Sequence, residues 1–220
     1  MEAKRKGGAS VYILAVYAIV LIIIVWLYTF QTRLINYVRD DYDSGLVMSL
    51  LGAATINVEE YGRTGQRVIH GSGSPNSCPD EHLEAALHRL QSLLATNLSS
   101  RQIVISPVTL DVFKVYNVYE YRAEDGAEER QIYECTWKNG SWSEVTHGVN
   151  EAVYVYGAGE RGHAEALVED TTVYAKISFT IELYPYFPGF AEHIPEEKKT
   201  LSVSMQRSVS IPKNEGALYE

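Results

Sequence analysis

The longest apolar stretch of the chain, Ala9–Phe30, carries no charge over twenty-two positions, and Lys4, Arg5 and Lys6 precede it. At about 1.5 Å per residue, a helix of that length crosses the roughly 30 Å hydrocarbon core of a bilayer. Cations on one flank keep that flank in the cytoplasm. A cleaved secretory signal has an apolar region of about 7–15 residues closed by a small-x-small site. This run is longer and ends in Trp26-Leu27-Tyr28-Thr29-Phe30, aromatics suited to the membrane–water interface. The pattern predicts a basic leader at 1–8, a transmembrane helix at 9–30 and everything after it outside the cell.

Beyond the bilayer the period stays helical. Ile35, Val38, Tyr42, Leu46, Leu50, Ala54, Val58 and Tyr61 recur at steps of three or four, with Asp40, Asp41, Asp43, Glu59 and Glu60 mostly off the stripe. The spacing predicts an amphipathic stalk over 31–62, continuous with the membrane helix, with Gly45 and Gly52 as its bending points. A short anchor followed by a separate helix is the alternative. Either way the stripe needs a partner. Gly62 to Pro75 is rich in Gly and Ser and reads as a flexible linker at 63–76. A third helical pattern opens at Ser77-Cys78-Pro79-Asp80-Glu81 and places Leu83, Leu87, Leu90, Leu94 and Leu98 on one face. It is expected to lie across the sheet that follows.

From Gln102 the period falls to two. Strands are predicted at about 111–121, with Phe113, Val115, Tyr119 and Tyr121 on one side, at 131–137 and 142–147 around the hairpin signal Asn139-Gly140, and at 152–156. The clearest alternation sets Val173, Ala175, Ile177, Phe179, Ile181 and Leu183 against Tyr174, Lys176, Ser178, Thr180, Glu182 and Tyr184. Leu201, Val203, Met205, Val209 and Ile211 repeat it, interrupted by Arg207. One face is expected to be buried and one wet. The class is α+β: a long N-terminal helix, then a helix packed on an antiparallel sheet, forming an exported head at 77–220.

Charge and cysteines narrow this further. A net charge of −9 lacks the clustered Lys and Arg that phosphate backbones require, which excludes nucleic acid as a partner. Cys78 and Cys135 are the only cysteines and fall on the predicted outer side, where a disulfide between them is open, two separate thiols being the alternative. Gly157-Ala158-Gly159-Glu160-Arg161-Gly162 spells a dinucleotide fingerprint, but the chain around it lacks the parallel βαβ unit that gives the letters meaning, so no cofactor is expected. The histidines have no metal-ligand spacing, no serine sits in a nucleophile elbow, and neither cysteine has a neighbouring base. The sequence calls for no enzyme and no metal, although a site assembled from distant residues is a further reading. Tyr184-Pro185-Tyr186-Phe187-Pro188-Gly189-Phe190 concentrates four aromatics between two strong strands. Tyr184, Tyr186, Phe187 and Phe190 form either an interaction loop or rings folded over the end of the sheet.

At Lys6-Gly7-Gly8-Ala9-Ser10-Val11-Tyr12-Ile13 the chain resembles pilin-like proteins of type IV filament systems, most closely the TadE-like pseudopilins of tight-adherence (Tad/Flp) pili. The likeness covers the first sixty residues well and the last two strands loosely. It implies cleavage by a prepilin peptidase after Gly7 or Gly8, and a helix that packs with those of other pilin-like subunits through Tyr12, Ile35, Val38, Tyr42, Leu46 and Leu50. The family pattern has a glutamate where this chain has Tyr12, a carboxylate that pairs with a neighbour's terminal amine. Tyr12 cannot make that pair, which implies a minor or accessory subunit of a pilus or secretion assembly. A plain bitopic anchor presenting a binding module on the cell surface is the alternative.

Overall fold

The structure, a computed structural model, describes residues 3–69, 78–98, 104–124, 126–183, 189 and 192–212, without the side chains of 3–10 and 160. One helix, α1, runs Ala3–Ala53 without interruption, about 76 Å at 1.5 Å per residue. It takes in Gly7 and Gly8 at its start and passes through Gly45 and Gly52 as regular helix. Those two glycines serve close approach. A Cβ on Gly45 would lie 2.4 Å from the Leu98 side chain, and one on Gly52 2.4 Å from Leu93, so their absence lets a second helix lie flat against α1. That helix is α3, Glu81–Asn97, capped by the Asp80 carboxylate accepting from Leu83 N–H, three residues later than the Ser77 start that the sequence pattern favours.

The stalk ends sooner than its periodicity predicts. The chain leaves helix after Ala53 and restarts as α2, Val58–Thr64, where the Asn57 side chain accepts from the backbone N–H of Glu59 and Glu60. Gly65, at φ +74°, closes α2. Within the segment expected to be a linker, residues 65–69 are built into the head, and its Gly- and Ser-rich part, 70–76, lies outside the described residues. Ile69 N–H donates to Asn117 Oδ1 at 2.8 Å, and the Gln66 amide pairs with both backbone groups of Glu120, standing in for a missing strand.

The main sheet is antiparallel throughout, in the order β3-β2-β1-β6-β7: β1 Thr109–Arg122, β2 Glu128–Lys138, β3 Ser141–Thr146, β6 Thr172–Glu182 and β7 Thr200–Ser210. Asn139 and Gly140 both take positive φ in the β2–β3 turn, as an Asn-Gly hairpin requires. One face carries the core. Phe113, Val115, Val173, Ala175, Ile177, Phe179 and Ile181 meet Val38, Tyr42, Leu46 and Leu50 of α1 and Leu83, Leu87, Leu90 and Leu94 of α3. The α3 stripe is buried as the leucine spacing predicts, but α1 shares the sheet with it. Ser49 Oγ, itself donating to Gly45 O, accepts from Asn97 Nδ2 at 3.0 Å and pins the two helices together.

The opposite face is only partly wet. A two-stranded sheet, β4 Tyr154–Ala158 and β5 Ala164–Leu167, packs there, and Val153, Val155 and Val168 cover Tyr116, Val118, Ile132 and Tyr174. The glycine-rich segment joins these two antiparallel strands, and its glycines let backbone touch backbone. A Cβ on Gly162 would lie 1.9 Å from Gln206 O, at φ +68°, and one on Gly157 under 3 Å from Arg207 and Ser208. Gly162→Ala is therefore expected to lift the hairpin off β7 and destabilise by more than about 1 kcal/mol. Hydrogen exchange should show this as lost protection in β4 and β5 with β1 and β2 unchanged.

Candidate functional site

Helix α1 falls into two halves of opposite environment. From Val11 to Trp26 every large apolar side chain stands free of the rest of the molecule, and Val20, the least exposed of them, is 48% accessible. This half is long and apolar enough to cross a membrane. Toward its C-terminal end two threonines bond back onto the helix: Thr29 Oγ1 donates to Val25 O at 2.7 Å and Thr32 Oγ1 to Tyr28 O at 2.9 Å. The Trp26 and Phe30 rings stack at 5.7 Å near the same end. Tyr12 lies at the start of the free half and is 77% exposed.

The second half is the spine of the head. Val38, Tyr42, Leu46 and Leu50 are between 0 and 2% exposed, Ile35 is half-buried, and the Tyr42 ring lies 4.4 Å from that of Phe179. The stripe expected to meet neighbouring subunits is thus covered by the chain's own sheet and α3. Hydrophobic periodicity says that a face is buried and is silent on what buries it. The apolar surface of α1 that the head leaves uncovered is concentrated in Val11–Trp26, with Tyr37, Met48 and Leu51 as exposed side chains further along.

Two acids on the flank of this spine tie it to the β7 edge. Asp43 receives a two-pronged contact from Arg207, with Nε to Oδ1 at 2.7 Å and Nη2 to Oδ2, and both side chains are nearly buried. The hydrogen bonds to Asp43 push the Arg207 guanidinium above its already high ordinary pKa against the opposing effect of burial. Arg207 also donates to Gly159 O, and Asp40 holds Arg161 at 3.1 Å. The cation that interrupts the apolar series of β7 is therefore the joint between helix, sheet and hairpin.

The outer face of the sheet carries the densest polar cluster. Lys114 Nζ lies 2.7 Å from Glu134 Oε1, His147 Nε2 3.2 Å from Glu134 Oε2, and His147 Nδ1 3.7 Å from Glu151. Thr136 also donates to Glu134. Burial raises the Glu134 pKa, but the hydrogen bonds and charge of Lys114, with Thr136 and His147, outweigh it and hold the carboxyl below its ordinary value. Such a lowered carboxylate adds stability that is complete above the unfolded pKa and disappears as pH falls through the folded one. Urea unfolding should accordingly lose part of its midpoint between about pH 5 and pH 3, and Glu134→Gln should flatten that loss while lowering stability at pH 7. Each of these side chains is engaged by another member of the cluster.

The remaining candidate residues separate as follows. Cys78 and Cys135 are brought together but are not bridged: each is a free thiol, Cys78 half-buried and Cys135 buried. The hydrogen bond that the Cys135 thiol donates to Cys78, with burial, pushes the Cys135 pKa far up. Tyr184, Tyr186, Phe187 and Phe190 lie outside the described residues. Among the described residues no group of three or more His, Cys, Asp or Glu could hold a metal ion. An apolar hollow of about 770 Å³ between the end of α3, residues 104–110 and Trp137 has no charged side chain in its lining. Sequence reasoning missed the acid–cation joint and a second cationic cluster around Arg39 and Lys176, because their members lie far apart in the chain. In comparisons with known proteins no family model matches this chain, and neither does any curated protein or solved structure.

Proposed function

We propose that the chain is a membrane-anchored, pseudopilin-like structural subunit of a pilus or secretion assembly, minor or accessory, with no catalysis of its own. The observation that carries this reading is the division of α1, a continuous helix whose first half exposes apolar side chains on every side and whose second half is locked into an α+β head. A helix bare all round is at home in lipid or among other helices. Lys4, Arg5 and Lys6 hold the N-terminus in the cytoplasm, so the acidic head faces outward. Cleavage after Gly7 or Gly8 frees the helix from its basic leader, and Val11–Phe30 then packs with other pilin-like helices. The rigid head keeps its orientation because the joints at Asp40 and Asp43 bind helix to sheet.

Two observations favour the second reading, a bitopic anchor that presents a binding module. The stalk stripe is already occupied within the chain, and Tyr12 supplies no carboxylate for a neighbour's terminal amine. Intact-mass measurement on protein extracted from its native membrane separates the two. A chain lacking its first seven or eight residues supports the pseudopilin reading, and a mature chain that retains Met1 supports the anchor.

A further inference from the structure

A pocket of about 260 Å³ opens where α1, the β7 edge and the hairpin meet. Arg39 of α1, Lys176 of β6, Arg161 and His163 of the glycine-rich turn and Gln206 of β7 line it, and among the described side chains no carboxylate does. In a chain of net charge −9 this concentration of one sign is the opposite of the average surface. Arg161 is engaged by Asp40 from outside the pocket. Arg39, His163 and Lys176 have no ionic or hydrogen-bonding partner among the described residues, although Arg39 and Lys176 are half-buried. Converging cations withdrawn from water repel one another, and a cleft of one sign concentrates counter-ions. Gly162 seats on the Gln206 carbonyl with no room for a side chain, which fixes the turn carrying Arg161 and His163 against β7.

We propose that this pocket binds a phosphate ester presented from the outer side of the membrane. Guanidinium forks match phosphate oxygens, the Lys176 ammonium adds a point charge, and Gln206 offers a neutral donor to an attached hydroxyl. The volume exceeds that of a bare phosphate and leaves space for a glycerol or sugar. Arg39 follows Phe30 by nine residues, about 14 Å along the helix, whereas the headgroup layer is only about 5–8 Å deep. Lipid phosphates therefore fall short of the pocket, and a soluble or polymer-borne phosphate reaches it. This choice of source rests on the membrane orientation proposed above; the site itself does not.

The test uses the full-length chain in phosphatidylcholine nanodiscs, titrated with inorganic phosphate and with glycerol 3-phosphate while backbone amide resonances are followed. Saturable shifts centred on Gly162, His163 and Lys176 are expected, with glycerol 3-phosphate the tighter ligand. Arg39→Gln with Lys176→Gln should weaken binding about tenfold or more, and Lys138→Gln, on the far side of the sheet, less than about twofold. Neither Arg39 nor Lys176 has a partner to lose among the described residues, and the wild-type titration stands without the variants. Absence of saturation, or equal loss in the Lys138 variant, would overturn the site. Saturation only when phosphatidylglycerol is added to the discs would overturn the soluble source and place the bilayer edge nearer Arg39 than Phe30, leaving the pocket itself intact.

Discussion

Replacing Arg207 with alanine is expected to lower the thermal unfolding midpoint of the head by about 6–12 °C. The side chain makes the two-pronged contact with Asp43 and a further bond to Gly159 O, at 12% exposure against 14% for Asp43. Removing one partner of such a pair leaves the other charge stranded in low dielectric, a loss of about 3 kcal/mol. For a domain of this size each kcal/mol moves the midpoint by about 2–4 °C. Asp43→Asn should cost less, and the double variant less than the two single losses added, because they share one interaction. Arg207→Lys should recover only part of the loss, since an ammonium cannot reproduce the fork. Calorimetry on the wild type and the four variants decides it; additive losses in the double variant would mean that the two side chains are not coupled.

The second large effect separates the halves of α1. Leu46→Ala removes a side chain with no exposed surface from the junction of α1, α3 and the sheet and should cost about 2–5 kcal/mol, the range for buried leucine truncation. Leu21→Ala, on the bare half, should leave head stability within about 0.5 kcal/mol. Denaturant unfolding followed by Trp137 and Trp142 fluorescence reads both, since Trp142 stacks edge-on against core Phe113. Equal effects would contradict the view of α1 as half anchor and half spine.

Much of this fold is legible in the chain because its signals are local. The Asn139-Gly140 hairpin is set by two residues that accept positive φ, and the α3 stripe by five leucines at helical spacing. The end of α1 also had a local signal: Asn57 followed by Glu59 and Glu60 is an N-cap with carboxylates suited to a helix start, masked by the apolar stripe that continues past it. Strand β5 has four residues and too little alternation to register. What local pattern could not supply is the identity of the partner. The stripe of Val38 to Leu50 looks the same whether a neighbour or the chain's own sheet covers it, and the proximity of Cys78 to Cys135 depends on how α3 is laid. The Asp43–Arg207 joint spans 164 positions and the cationic pocket draws on four separate segments, so both arise only from the tertiary arrangement.

Photo-crosslinking in the native membrane tests the account most directly. A benzophenone amino acid placed in turn at positions from Val11 to Val25 should give adducts with neighbouring membrane helices, recurring at steps of three or four, while the same probe at exposed Met48 in the head-bound half gives none. Uncrosslinked protein at every position from Val11 to Val25 would contradict assembly through this helix and leave α1 as an anchor alone.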